Sequence, residues 1–162
     1  MLMVGLAVAL LVLIADQASK FWVLHSFNLA SKGVVPILPF FDLLLVWNKG
    51  ISYGLFQMDG LLGQIALTGF KIVAAIVLFV WLMRAKGLIL ALGLGLLIGG
   101  ALGNAIDRLL YGAVADFALL HAQIGGQRYD WYIFNLADVA IVAGVIGLLY
   151  DMAFGHSAAK AP

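Results

Sequence analysis

The chain has 162 residues, 65% of them hydrophobic and only 10% charged, with a formal net charge of +1 and a mean hydropathy of +1.12. Soluble domains carry about 25% charged residues, so this composition excludes an ordinary soluble domain and describes an integral membrane protein. The near-neutral balance offers no basic surface for nucleic acid. The absence of Cys removes disulfides, thiolate nucleophiles and Cys-ligated metals.

A helix crosses a bilayer with about 20 apolar residues, and four segments meet that length. The first covers residues 2–24 and is broken late by Asp16 and Lys20. Its start, Met1 to Ala15, has neither a basic leader nor a small-residue cleavage site, which predicts a retained span rather than a removed signal peptide. Residues 26–59 differ. Pro36 and Pro39 interrupt them, and Val34, Ile37, Phe40 and Phe41 to Trp47 are strand-forming types. They predict a small β-region at the membrane surface with a turn at Asn48-Lys49-Gly50. The second span covers 61–83, before Arg84 and Lys86, and the third covers 88–110. Residues 119–132 read as a second surface segment, with Gly125-Gly126 as a flexible turn and Trp131 and Tyr132 as interfacial anchors. The fourth span covers 133–154. The expected fold is an all-α membrane protein: one membrane-embedded domain over 1–162, with four transmembrane helices and a small β-region between helices 1 and 2.

Antiparallel spans put both termini on one side. The unusual polar residues fall toward the other: Asp16 and Lys20, Asn48, Asn104 with Asp107 and Arg108, Asp116, and Asn135 with Asp138. Charged groups near a bilayer are costly and usually line a cavity where they act, so a polar cavity at one leaflet is predicted. Counting Lys and Arg by the positive-inside rule favours a cytoplasmic cavity. If Lys20 and Arg108 belong to the site they drop out of that count, and the rule then decides nothing. In the third span Ala91, Gly95, Gly99 and Gly103 recur every four residues, a small-residue row that lets another helix approach closely.

Two carboxylates near one water do not both ionise easily, because like charge raises one pKa. The ionised member takes a proton from water and the protonated member donates to a carbonyl, as in aspartic proteases. Asp116 and Asp138, 22 positions apart, meet the need for two Asp side chains on separate segments. Spacing alone supports capping as readily at Asp138, since Asn135 followed three residues on by Asp138 resembles a capping box. Asp16 and Lys20 form a favourable i, i+4 pair. Lys71 sits inside the second span with no evident partner and has a stem that can snorkel.

Other chemistries have weaker support. Gly50-Ile51-Ser52-Tyr53-Gly54 matches the nucleophile elbow, but the chain lacks the α/β sheet that motif needs. An intramembrane serine protease pairing Ser52 with His121 is the alternative it leaves. His25, His121 and His156 have no ligand spacing and H-E-x-x-H is absent; an Asp/Asn cluster could hold Mg²⁺ or Ca²⁺, but no spacing demands it, and neither a metal nor a cofactor is expected. An ion or proton transporter subunit using the Asp cluster, or a structural membrane subunit, are readings from other classes.

Five motifs in order then carry a resemblance: Asp16-Gln17-Ala18-Ser19-Lys20, Asn48-Lys49-Gly50, Gly99 through Arg108, Val114-Ala115-Asp116-Phe117, and Phe134-Asn135-Leu136-Ala137-Asp138. Together, on a four-span chain, they resemble bacterial lipoprotein signal peptidase, also called signal peptidase II. The resemblance implies a membrane aspartyl endopeptidase of the bacterial inner membrane, with cytoplasmic termini. It implies cleavage of lipid-modified prolipoproteins before the diacylglyceryl-cysteine at the periplasmic or outer face. Asp116 and Asp138 would be the catalytic pair. Asn48, Asn104, Asp107, Arg108 and Asn135 would line and organise the site, with Asp16 and Lys20 supporting it. Prolipoproteins and membrane lipid are the expected partners, and the chain is expected to act as a monomer. Departures from the family pattern are Ile51-Ser52-Tyr53 after the Asn-x-Gly, Ala115 within Val-Ala-Asp-Phe, and a somewhat long segment between the two aspartates.

Overall fold

The computed structural model describes residues 1–50 and 61–155. Four of its helices are long and apolar enough to cross a membrane. They are α1 (Leu2–Phe21, continued by a π-helical turn over Trp22–Ser26), α2 (Leu61–Met83), α3 (Leu88–Tyr111) and α4 (Leu136–Tyr150, continued to Gly155). Within its most apolar stretch α3 is 61% buried inside the protein, against 17–22% for the other three. It is therefore the central helix, and the other three turn most of their surface outward.

Small residues make that central position possible. A methyl at Gly99 would come within 2.6 Å of the Ala9 carbonyl oxygen on α1. One at Gly100 would come within 2.6 Å of the Ala137 carbonyl on α4. The predicted row holds throughout: Ala91, Gly95, Gly99 and Gly103 all meet α1, at Gly5, Ala9 and Asp16 among others. Without a hydrophobic drive between helices in lipid, such close backbone approach supplies the packing. An apolar cluster of Ala9, Leu82, Ala91, Leu94 and Ile98 fills the interior toward the end where the termini lie.

At the opposite end lies a four-stranded antiparallel sheet in the order β1-β2-β3-β4. Its strands are β1 (Val35–Leu38), β2 (Phe41–Asn48), β3 (Val114–Ile124) and β4 (Gln127–Phe134). Pro36 sits on β1, an edge strand, where a missing N–H costs no ladder bond. Val23 and Leu29 pack against Leu43 of β2.

The expectation of an all-α membrane protein, with a β-region confined to the connection between helices 1 and 2, is thus corrected. Half of the sheet comes from the connection between α3 and α4. The surface segment 119–132 is part of a β-hairpin, and the fourth helix starts at Leu136 because Ile133 and Phe134 complete β4. Gly125 and Gly126 both have positive φ, +60° and +80°. That is the requirement of a two-residue turn whose twist matches a β-hairpin. Asp116 consequently stands on a strand, paired with Val46 of β2.

Candidate active site

Local chemistry at the ends of three elements, α3, β2 and α4, brings the predicted residues together. α3 closes on Gly112, which adopts the left-handed conformation (φ +71°) and returns its N–H to the Arg108 carbonyl. Such a cap turns the chain sharply, and β3 begins two residues later. Asp107 Oδ2 accepts from the Ala115 N–H at 3.1 Å, tying that strand to the helix. β2 ends at Asn48, whose side-chain oxygen accepts from the Gly50 N–H at 3.0 Å. α4 opens on a capping box: Asn135 Oδ1 accepts from the Asp138 N–H (3.1 Å), and Asp138 Oδ2 from the Asn135 N–H (3.2 Å).

Two polar clusters result, sharing Asn104. The inner one is closed. Lys20 Nζ lies 2.8 Å from Asp16 and 2.8 Å from Asp107, and donates to Asn104 Oδ1 at 3.0 Å. Gln17 donates to Asp16, Asp107 and the Gly103 carbonyl, and the Ala137 N–H to Asp16 Oδ1 at 2.9 Å. Asp16 and Asp107 are fully buried and Lys20 nearly so. Gln17, quoted within the first motif but given no role there, is the residue sequence reasoning missed. A Gln next to an intramembrane Asp was its signal.

The outer cluster contains Asp116 and Asp138. Asp116 Oδ1 accepts from Asn135 Nδ2 at 2.6 Å and Oδ2 from Asn48 Nδ2 at 3.0 Å. The second bond follows from register: Asn48 lies diagonally across β2 and β3 from Asp116, two residues beyond its partner Val46. Asp138 Oδ1 accepts from Asn104 Nδ2 at 2.9 Å. Asn135 also donates to Asn104 Oδ1, at 3.2 Å, linking the two carboxylates through their amides. Among the described residues neither carboxylate has a cation within 4.0 Å. Burial, and then the like charge of Asp138, raise the Asp116 carboxyl from its usual value to about 6, against the opposing bonds from Asn48 and Asn135.

Both carboxylates line one cavity of about 270 Å³, bounded by α2, α3, β3 and α4. Its deeper wall is apolar, with Leu67, Leu97 and Ile141, and Lys71 also faces into it. Arg108 closes the top, donating to the Gly50 carbonyl (2.6 Å) and to Gln64 (2.8 Å). Asp138 borders a second, shallower groove as well, which runs outward between β4 and α4 along Trp131, Phe134, Val142 and Ile146. Among the described residues no three His, Cys, Asp or Glu side chains converge.

His121 is not part of this arrangement. It lies five residues along β3 from Asp116, about 16 Å at a strand's rise. Its Nε2 is 3.3 Å from Asp42, which Arg128 also contacts at 2.7 Å. Ser52, its suggested partner, lies outside the described residues.

Comparison with known proteins gives one family. The family model for Signal peptidase (SPase) II matches residues 8–154. A lipoprotein signal peptidase of Rhodopseudomonas palustris is 58% identical over 158 residues, covering 98% of this chain and 96% of that one. One from Nitrobacter hamburgensis is 54% identical with the same coverage. Among solved structures, one titled a bacterial membrane enzyme solved by the in meso method at 2.3 Å superposes with a TM-score of 0.79 at 28% identity. It covers 98% of this chain and 92% of its own. Sequence, relatives and fold agree over nearly the full length: this multi-pass membrane chain belongs to the signal peptidase II family of proteases.

Proposed function

We propose that the chain is an aspartyl endopeptidase that removes signal peptides from lipid-modified prolipoproteins, cutting just before the diacylglyceryl-cysteine. The curated relatives bear the name lipoprotein signal peptidase, which supports the substrate class. One observation supports the mechanism: two aspartates from different elements, each oriented by asparagine amides, line the same cavity with no cation bound to either among the described residues.

In this reading Asp138, at a helix N-terminus where negative charge is favoured, takes a proton from water. The water oxygen attacks the scissile carbonyl carbon, and Asp116 gives its proton to the carbonyl oxygen. A value of about 6 suits Asp116 for that exchange, because a group that gives and regains a proton works best near the operating pH. Collapse of the tetrahedral intermediate breaks the C–N bond. The cysteine nitrogen leaves with a proton, and the signal peptide leaves with a carboxyl group. β4 is an edge of the sheet beside Asp138, so an extended substrate can add to it by main-chain pairing. The groove along α4 opens toward lipid and suits lateral entry. Asn48, Asn104 and Asn135 orient the pair, Arg108 closes the cavity, and Asp16, Lys20 and Asp107 hold α1, α3 and α4 in place. The enzyme acts as a monomer in the bacterial inner membrane, with its termini in the cytoplasm and the cavity at the periplasmic face.

The test uses purified, correctly inserted protein and a diacylglyceryl-cysteine prolipoprotein. Asp116→Asn and Asp138→Asn should each lower cleavage by at least about 10²–10⁴-fold, the contribution typical of a general acid or base. Full activity in either variant overturns the pair. Ser52→Ala should cleave normally, and its loss of activity would favour the serine alternative.

A further inference from the structure

Lys71 is the one charged residue between Leu61 and Met83, and an ionisable residue inside a span is costly unless it serves a cavity. It lines the same cavity as Asp116 and Asp138, seven residues, or about 10 Å, deeper along α2 than Gln64. Its surroundings differ from those of Lys20, which has three acceptors at 2.8–3.0 Å. Lys71 makes no hydrogen bond or ion pair among the described residues. Among the described residues, Asp138 on α4 and Asp116 on β3 attract it, while Arg108 on α3 and Lys20 on α1 repel it.

We propose that Lys71 is a positioning residue of the proteolytic site: its ammonium, delivered by α2, sets the charge balance of the Asp116–Asp138 pair and thereby the pH range of cleavage. The inference rests on the aspartyl reading above. Such a pair works with one carboxylate ionised and one protonated, so its rate profile is bell-shaped and belongs to the pair rather than to either residue. A nearby unpaired cation makes both ionisations easier. Without it both limbs move to higher pH together, while the width of the bell is kept. A lysine that merely snorkels to shed the cost of burial would leave the profile where it is.

Cleavage of a synthetic diacylglyceryl-cysteine prolipoprotein would be followed from pH 4 to 10 for wild type, Lys71→Met, Lys71→Gln, Lys71→Arg, Asp116→Asn and Asp138→Asn. The two neutral variants should displace both limbs of kcat/KM upward by about one pH unit, the size expected of a charge roughly 10 Å away at an effective dielectric near 20. That amounts to a loss of about tenfold on the acid side and a gain on the alkaline side. Lys71→Arg should restore the wild-type profile. An unmoved bell, or a uniform loss at every pH that Lys71→Arg does not rescue, overturns the role of Lys71. If either Asn variant cleaves, the aspartyl reading fails instead, so the two failures are separable.

Discussion

The two aspartate clusters on either side of Asn104 use the same residue type to opposite ends. In the inner one, Lys20 reaches both Asp16 and Asp107, and Gln17 and the Ala137 and Ala115 N–H groups take up further carboxylate oxygens. In the outer one, Asp116 and Asp138 receive neutral side-chain amides, Asp138 also the Asn135 N–H of its helix cap, and both face a cavity. A buried carboxylate saturated by a cation and donors is a fastener. One held in place by amides keeps its charge available to a substrate. The contrast supports the proposal that Asp107, as prominent in the sequence as Asp116, has a supporting role.

Substitutions in the two clusters should separate along those lines. The largest effect on stability belongs to the inner cluster. Lys20→Met strands two buried carboxylates and should cost about 3–5 kcal/mol, as for other broken buried pairs; a denaturation midpoint close to wild type would contradict this. Asp116→Asn should do the reverse, destroying cleavage while sparing the fold. Its carboxyl is raised to about 6, so the ionised form is disfavoured in the folded state. The stability this group contributes falls as pH rises from about 3.8 through about 6 and is flat above. At pH 8 the neutral amide should therefore match or exceed wild type, by up to about 3 kcal/mol. Next comes the helix seam. Gly99→Val forces side-chain atoms onto the Ala9 carbonyl and Val12 and should cost about 1–3 kcal/mol by overpacking, read in the same assay.

A titration sharpens the comparison further. Carboxyl-labelled Asp116, followed by NMR, should show a midpoint near 6 that moves down in Asp138→Asn, because the like charge is removed. An upward move would mean the two do not face each other. The smallest effect is expected on the sheet's outer surface. The Arg128 hydrogen bond holds Asp42 below the usual carboxylate range, so its contribution is present above pH 3.8 and lost as pH falls through the depressed value. Arg128→Ala should loosen amide protection in β3 and β4 with cleavage nearly unchanged.

Much of the site was legible in the sequence because its pieces depend on short spacings. The capping box at Asn135 and Asp138, the i, i+4 pair of Asp16 and Lys20, and the four-residue row from Ala91 to Gly103 are all set by helix geometry within a few residues. The second hairpin was not legible. Its strands carry a register shift between Leu119 and His121, which breaks the two-residue alternation, and an aromatic run at Trp131 and Tyr132 serves an interface as well as a strand. Gly125-Gly126 was the available signal, since two adjacent glycines are as much a hairpin turn as a flexible one. The place of Lys71 was illegible for another reason. How a lipid-facing helix is rotated about its axis depends on which neighbours it meets, and the predominantly apolar face of α2 gives few clues.

The sheet draws its two hairpins from opposite halves of the chain, β1 and β2 before α2, and β3 and β4 after α3. Asn48 belongs to the first hairpin, Asp116 to the second, and Asp138 to the last helix. During synthesis, no chain that has yet to insert α4 holds the complete constellation. On the aspartyl mechanism proposed above, competence would then arrive only with the last helix, which brings Asp138 to Asp116.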